Sequence, residues 1–140
     1  MNFVLSVVIW CIAYFGMTSG ETCQCISYLI SENGLSNENK ITSTEYDLGD
    51  ARCDGDGVMK CKYFCVEMYK ELTDNGKTCV IMPEDERNRR VADWMCEALN
   101  RNVCNARIGL FVQGCGSDAV DTGFRFQETI CCKSQKATHC

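Results

Sequence analysis

The chain has 140 residues, of which 24% are charged and 46% are hydrophobic, and its formal net charge is −5. A length of this order suits one domain, and the acidic balance argues against nucleic acid or an anionic membrane as the main partner. Thirteen cysteines are the most unusual feature of the composition.

Residues 1–20 have the pattern of a secretory signal peptide. Their apolar stretch, residues 3–15, is too short for a membrane-spanning helix, which needs about 20 residues. Thr18 and Gly20 are small enough for the −3 and −1 positions of a cleavage site, which predicts a mature chain that begins at Glu21. No later segment is long and apolar enough to span a membrane. We therefore predict a signal peptide (residues 1–20) and one secreted, extracellular, disulfide-rich domain (residues 21–140).

The cysteines that remain after cleavage are even in number. Cys11 leaves with the signal peptide, and twelve cysteines stay in 120 residues. An even count in an exported chain predicts six disulfides, formed in an oxidising compartment. The predicted disulfide cysteines are Cys23, Cys25, Cys53, Cys61, Cys65, Cys79, Cys96, Cys104, Cys115, Cys131, Cys132 and Cys140.

A cytosolic metal-binding protein is the alternative explanation for so many cysteines. Zinc sites favour C-x2-C pairs or histidines. The closest cysteine pairs here have the spacings C-x-C, C-x3-C and C-C, and His139 is the only histidine. We therefore expect disulfides, with no metal and no other cofactor.

The N-terminal part of the domain contains one element of open type and one predicted loop. Residues 21–30 fit a strand and a helix equally well, and Cys23 and Cys25 fix this segment to the domain. Residues 31–50 are polar, contain the turn signal Asn33-Gly34 and have no cysteine. We expect them to form a long surface loop.

A first helix is predicted after the Asp-Gly turn signals of residues 54–57. Apolar side chains then recur at steps of three and four residues, which is the spacing of one helix face. Because Cys61 and Cys65 lie one turn apart on that face, both should be buried. Asp74, Asn75 and Gly76 supply the signal for its end. The stripe consists of Val58, Cys61, Cys65, Met68 and Leu72.

A second helix is predicted to begin at Pro83. Proline suits the first turn of a helix, and the acidic residues 84–86 suit the positive end of its dipole. We expect Trp94 to anchor the core rather than to bind a partner. Arg89 and Arg90 fall inside this helix, which favours a solvated helix face over a processing site. The apolar stripe consists of Val91, Trp94, Met95, Ala98 and Leu99.

The last third of the chain alternates with the two-residue period of strands. Residues 108–113 and 124–130 are the two predicted strands, and the Gly- and Asp-rich residues 114–123 join them. Cys131 and Cys132 point to opposite faces of an extended chain, so each should bridge to a different layer and not to its neighbour. The predicted fold is one small α+β domain, disulfide-rich, with two main helices and a C-terminal antiparallel hairpin.

Small secreted hydrolases carry residues that this chain lacks. A phospholipase A2 has a His-Asp pair on a helix beside adjacent cysteines, whereas Lys133 and Ser134 follow the adjacent pair here. A Ser or Cys triad needs a histidine base, and His139 beside Cys140 is expected to be an exposed polar residue. A glycosidase needs only two carboxylates, but the Gly-Pro segments of invertebrate lysozymes are missing, since Pro83 is the only proline. We expect no enzymatic activity.

Three aspartates, Asp50, Asp54 and Asp56, lie close enough together in the sequence to suggest a calcium-binding loop. An EF-hand loop that began at Asp50 would place Arg52 at its third position and Cys61 at its twelfth, where a bidentate glutamate belongs. Turn formation and helix capping explain Asp54 and Asp56 better than a calcium site does.

The order of several segments resembles that of a group of venom proteins. The segments are the signal peptide, the C-x-C pair, DARCDGDG, the C-x3-C helix, RVADWMCEALNRNVC and DTGFRFQETICC. Over roughly residues 53–140 this order is similar to scoloptoxin-type cysteine-rich proteins of centipede venom and to related uncharacterised secreted proteins of arthropods. The resemblance implies a secreted, disulfide-bonded venom component of undefined target, and it brings no catalytic residue with it.

Two classes of function are consistent with these features. The first is a secreted binding protein, such as a toxin, whose rigid surface engages an extracellular protein target. The second is a non-toxic extracellular protein, such as a protease inhibitor, a defence factor or a structural component. An inhibitor often presents a convex loop held by bridges, and residues 31–50 have no cysteine to hold one. A small secreted hydrolase is the least favoured alternative.

Overall fold

A computed structural model describes residues 22–47, 55–114 and 118–140 of the chain. Within these ranges it has two antiparallel sheets, with strand orders β2-β1-β4-β5 and β3-β6-β7, and two helices. The elements are β1 (Thr22–Leu29), β2 (Lys40–Asp47), α1 (Gly55–Leu72), α2 (Val91–Leu99), β3 (Val103–Ala106), β4 (Ile108–Gly114), β5 (Val120–Arg125), β6 (Ile130–Lys133) and β7 (Lys136–Ala137). The mixed helix-and-sheet class with two helices is confirmed. The predicted signal peptide lies outside the described residues.

The N-terminal segment of open type is an inner strand of the larger sheet. β1 pairs with β2 on one side and with β4 on the other. Both of its faces are covered, since Ile26 and Tyr28 are as buried as Cys25 and Leu29 on the other face. Burial on both faces removes the alternation that identifies a strand in a sequence, which is why the type of this element stayed open.

The predicted surface loop over residues 31–50 is wrong in its second half. Residues 31–38 are exposed, but Lys40–Asp47 is an edge strand paired with β1. Besides the buried Ile41 it carries the buried polar Thr42, whose Oγ1 lies 2.6 Å from Ser27 Oγ and 3.2 Å from Tyr69 Oη. Because most of its residues are polar, the segment lacks the alternation of apolar and polar residues that identifies a strand. The available signal was the β propensity of four residues, Ile41, Thr42, Thr44 and Tyr46.

α1 packs against the larger sheet through Cys61, Cys65 and Tyr69, whereas the other members of the predicted stripe, Val58, Met68 and Leu72, are half-buried. Cys61 and Cys65 are buried, as expected from their spacing. Asp74, Asn75 and Gly76 have φ angles of 47°, 65° and 96°, so the chain leaves the helix through a left-handed turn at the predicted place. A side chain at Gly76 would also place its Cβ 3.2 Å from the carbonyl oxygen of Arg125, so this position requires glycine.

The second helix begins at Val91 and not at Pro83, so its predicted start is wrong. Glu84 and Asn88 have φ angles of 62° and 51°, which a right-handed helix does not contain. The chain folds back on itself here, because Val91 N donates to Val80 O at 2.9 Å. The helix that follows keeps a buried stripe and ends at Asn100. Its buried residues are Val91, Ala92, Met95, Cys96 and Leu99.

The predicted C-terminal hairpin is found in part: its two strands pair antiparallel, but the second strand is shorter than predicted. β4 and β5 pair with Phe111 opposite Asp121, but β5 ends at Arg125. The chain then leaves the larger sheet, since Gln127 N donates to Gly76 O at 2.9 Å. Ile130 consequently begins β6 in the smaller sheet. The segment that joins β4 to β5 includes residues outside the described ranges.

The core lies between the larger sheet and the two helices. Met95, Leu110 and Ile130 are fully buried in it. Trp94 packs against this cluster but is half-buried, so the predicted anchor lies at the edge of the core rather than inside it.

Candidate functional site

Two neighbouring disulfides fix α1 to the inner strand β1. Cys23 bonds to Cys61 and Cys25 bonds to Cys65, each with a Cα–Cα distance of 5.5 Å. Residues two apart on a strand share one face and lie about 6.6 Å apart. Residues four apart on a helix lie one turn, or about 6 Å, apart. The C-x-C and C-x3-C spacings therefore match, and the two bridges stand side by side.

Two further bridges reach the smaller sheet from different directions. Cys132 bonds to Cys96 of α2, and the adjacent Cys131 bonds to Cys104 of β3. Neighbouring residues of a strand point to opposite faces. The two cysteines do not bond to each other, as predicted, but only Cys132 reaches a different layer, because Cys104 belongs to the neighbouring strand of the same sheet.

The fifth described bridge joins Cys79 to Cys140. With it, ten of the twelve predicted disulfide cysteines are bonded in the described part of the chain. Cys53 and Cys115 lie outside that part, and so do Asp50 and Asp54 of the calcium alternative. No helix of the described ranges is long and apolar enough to cross a membrane.

In the described ranges, two groups of side chains lie close enough together to hold a metal ion, and both consist mainly of disulfide-bonded cysteines. A sulfur in a disulfide carries no thiolate, which is the form that binds a metal. Neither group therefore offers the ligands of a zinc site while its bridges are closed. The groups are Cys23, Cys25 and Cys65, and Cys79, His139 and Cys140.

His139 is not the exposed polar residue that the sequence predicts. Its side chain is 15% exposed, and its Nε2 lies 2.9 Å from Thr78 Oγ1. That hydroxyl lies 2.9 Å from Glu128 Oε2. Cys131 N donates to His139 Nδ1 at 3.2 Å, so a neutral imidazole carries its proton on Nε2. Nε2 therefore donates to the Thr78 hydroxyl, which donates to Glu128.

This chain of hydrogen bonds has the residue types of a catalytic triad but not its geometry. In a triad the histidine accepts the proton of the hydroxyl, whereas here the imidazole donates to it. Thr78 has no exposed surface, so a substrate cannot reach its oxygen. We interpret the cluster of Thr78, Glu128 and His139 as a structural latch for the C-terminal segment beside the Cys79–Cys140 bridge.

An ion-pair cluster holds the turn that precedes α2. Arg89 lies 3.1 Å from Asp85 and 2.8 Å from Glu97, measured between nitrogen and carboxylate oxygen. Hydrogen bonds from the side chain and the backbone N–H of Arg89 hold the pKa of Asp85 below its ordinary value. Arg89 and Arg90 thus precede the helix instead of lying on its solvated face, and Arg90 pairs with Asp93 at 2.9 Å. Because these charges are paired with one another, we assign the cluster a structural role.

The outward face of α1 carries two large apolar side chains among charged ones. Met59 and Tyr63 lie one helical turn apart and are 61% and 70% exposed. Glu67 and Glu71 continue the same face at steps of four residues, and Asp74 follows in the left-handed turn after the helix. We call these five residues the outer α1 face. A solvated helix face normally carries polar residues, so two neighbouring exposed apolar side chains indicate a contact surface.

A surface groove of about 740 Å³ runs beside the outer α1 face. Phe64 and Met68 form its apolar wall, and Tyr63 stands at its edge. Glu67 and Glu71 are like charges one turn apart, an arrangement that destabilises a helix. The groove therefore combines an apolar wall with a mostly acidic rim, in which Lys70 lies 3.6 Å from Glu67.

Sequence reasoning did not single out Met59 and Tyr63. Both follow from the predicted stripe, because they lie two residues before Cys61 and Cys65 and thus on the opposite side of the helix. Their large apolar side chains at outward positions were the available signal.

Comparisons with protein-family models, curated proteins and solved structures find no match to this chain. The resemblance to scoloptoxin-type proteins consequently stays a prediction.

Proposed function

We propose that this chain is a secreted, non-catalytic protein that binds an extracellular protein target through the outer α1 face, as a toxin does. The observation that carries the proposal is the exposure of Met59 and Tyr63 on a helix whose other side is bonded twice to β1. A surface held in this way loses little conformational freedom on binding. Tyrosine is also enriched among the residues that dominate binding energy at interfaces.

The target is expected to present basic side chains around an apolar pocket. Glu67 and Glu71 supply two carboxylates along one helix face, with Lys70 beside Glu67 at 3.6 Å, and the chain as a whole has a net charge of −5. Complementary charge raises the association rate and orients the partner. Tyr63 supplies a large apolar surface with a polar tip, which suits a pocket at the rim of an interface.

Secretion and the absence of catalysis belong to the same proposal. The five bridges support an oxidising compartment. Thr78 is a poor nucleophile for catalysis, because it is fully buried and because His139 donates a hydrogen bond to its hydroxyl instead of accepting one. A transcript confined to a venom gland would support a toxin, whereas broad expression would favour an inhibitor or a defence factor.

Cell-surface binding of the mature protein tests the proposed surface. We expect the parent protein to bind target cells in a saturable way. The double variant Met59→Ala/Tyr63→Ala should raise the Kd by about 30-fold, which is the effect of losing one interface hot spot. Ile81→Ala is the matched control, because Ile81 is 61% exposed but lies outside α1. Equal binding by the parent and the double variant would exclude the outer α1 face as the contact surface.

A further inference from the structure

A smaller pocket of about 160 Å³ lies on the other side of α1, where this helix meets α2 and the edge strand β2. Its floor consists of Tyr69, Thr73 and Val91, which are 3%, 2% and 1% exposed. Its rim includes the half-buried Met82 and Trp94. The floor is thus inside the core, and the rim reaches the surface.

The pocket presents apolar surface to an occupant. None of the described residues that line it carries a charge. The hydroxyls of its floor are engaged elsewhere, since Tyr69 Oη lies 3.2 Å from Thr42 Oγ1 and Thr73 Oγ1 accepts from Gly76 N at 2.9 Å. Burial raises the pKa of Tyr69, so its phenol stays neutral. A charged or strongly polar ligand would therefore lose its hydration without compensation.

The size and the side chains of the pocket fit a single small molecule. An apolar cavity of about 150 Å³ in another protein stays dry and binds benzene, and the pocket here has nearly the same volume. Met68 and Met82 belong to its wall, and unbranched methionine side chains adapt to ligands of different outline. Trp94 offers an aromatic ring to an aromatic guest.

We propose that this pocket binds a small, uncharged, apolar molecule, an aromatic or cyclic hydrocarbon of about six to ten non-hydrogen atoms. The site lies apart from the outer α1 face, so it adds a small-molecule ligand to the protein partner proposed above. The two sites are built mainly from opposite sides of α1, and Met68 is the one side chain of this helix that lines both the outer groove and the pocket.

Toluene is a suitable probe, and Trp94 is the reporter. The sequence has two tryptophans, and Trp10 lies in the predicted signal peptide, so the mature chain contains Trp94 alone. We expect toluene to change the emission of Trp94 in a saturable way. We also expect it to raise the thermal midpoint with concentration, because a ligand that binds only the folded state stabilises it.

Two substitutions on one strand provide the matched variants. Thr44→Phe places a ring in the pocket, whereas Ser43→Phe places the same ring on the opposite face of β2. We expect Thr44→Phe to abolish the saturable response and Ser43→Phe to retain it. Intermolecular NOEs from the toluene methyl group to Val91 and Met82 locate the ligand in the parent protein, whether or not Thr44→Phe folds. The absence of a saturable response, or NOEs confined to other residues, would overturn the proposal.

Discussion

Cys25 and Cys65 are bonded to each other at a point where neither residue has any exposed surface. The bond joins an inner strand of the larger sheet to the middle of α1. The position of the outer α1 face relative to the sheet therefore depends on a cross-link inside the core. Stability and the proposed binding surface depend on the same pair of residues.

Replacing Cys65 with serine should lower both stability and target binding. The bridge closes a segment of 40 residues, and its removal is expected to cost roughly 3–4 kcal/mol of unfolding free energy. The variant also leaves the Cys25 thiol without its partner and buries a hydroxyl. Urea unfolding measures the change, and Lys62→Ala, expected within about 0.5 kcal/mol of the parent, is the control. A Cys65→Ser protein that unfolded like the parent would show that this bridge does not hold the domain together.

Glu71→Lys should stabilise the chain while it weakens target binding. The substitution replaces the like charges of Glu67 and Glu71 with an opposite pair one turn apart, which is worth about 0.3–0.5 kcal/mol. It also removes a carboxylate from the outer α1 face, so the association rate with a basic target should fall and depend less on salt. Thermal unfolding and stopped-flow binding measure the two effects. A loss of binding together with a loss of stability would indicate misfolding instead.

Thr78→Val should destabilise the C-terminal segment. The valine has the shape of threonine but leaves His139 Nε2 and Glu128 without the hydroxyl that joins them. The loss of this buried hydrogen-bonding group is expected to cost about 1–3 kcal/mol. The same substitution at the exposed Thr129 should change stability by about 0.5 kcal/mol or less. Equal thermal midpoints for the two variants would contradict the role of the latch.

Asp85 should contribute stability at neutral pH that disappears in acid. Its pKa is lower in the folded chain, because Arg89 donates to the carboxylate from its side chain and its backbone. The contribution is therefore complete above the ordinary carboxyl pKa and is lost as the pH falls through the lowered value. The thermal midpoint of the parent should exceed that of Asp85→Asn at neutral pH, and the difference should shrink in acid. A difference that stayed constant with pH would rule out this linkage.

The mature chain should contain no free thiol. Five bridges account for ten of the twelve predicted cysteines, so complete oxidation pairs Cys53 with Cys115. Alkylation of the unreduced protein should leave its intact mass unchanged, and peptide mapping should recover a Cys53–Cys115 peptide. Labelling of two thiols would show that these cysteines stay reduced, and would reopen the question of a metal ligand there.

The parts of the fold that could be predicted are those with a strong local period. The stripe around Cys61 and Cys65 identifies α1 by its helical period. The alternation from Ile108 identifies β4, although residues 108–112 are buried on both faces of this strand. The helical pattern of α2 was found for the same reason. Its start was misplaced because the acidic residues near Pro83 serve a turn closed by Arg89, and this ion pair is not visible in the local pattern.

The remaining features depend on contacts between distant segments. In the strand at Lys40–Asp47, the buried hydroxyl of Thr42 finds its partners in Ser27 and Tyr69, which are 15 and 27 residues away in the sequence. The burial of His139 depends on Thr78 and Glu128, which are far from it in the sequence. The disulfide pairing could not be deduced from the number of cysteines. Two of the bridges do follow a simple geometry, because the cysteines of a C-x-C pair on a strand and of a C-x3-C pair on a helix are separated by nearly the same distance.

The order in which the cysteines are synthesised affects how the native disulfides form. Cys23 and Cys25 emerge first, but their partners follow 38 and 40 residues later, and β4, the neighbour of their strand, comes later still. In an oxidising compartment such close thiols can bond to each other, or to Cys53, before the native partners are in place. We therefore expect a disulfide isomerase, which reverses such bonds, to raise the yield of native protein above that obtained with an oxidant alone.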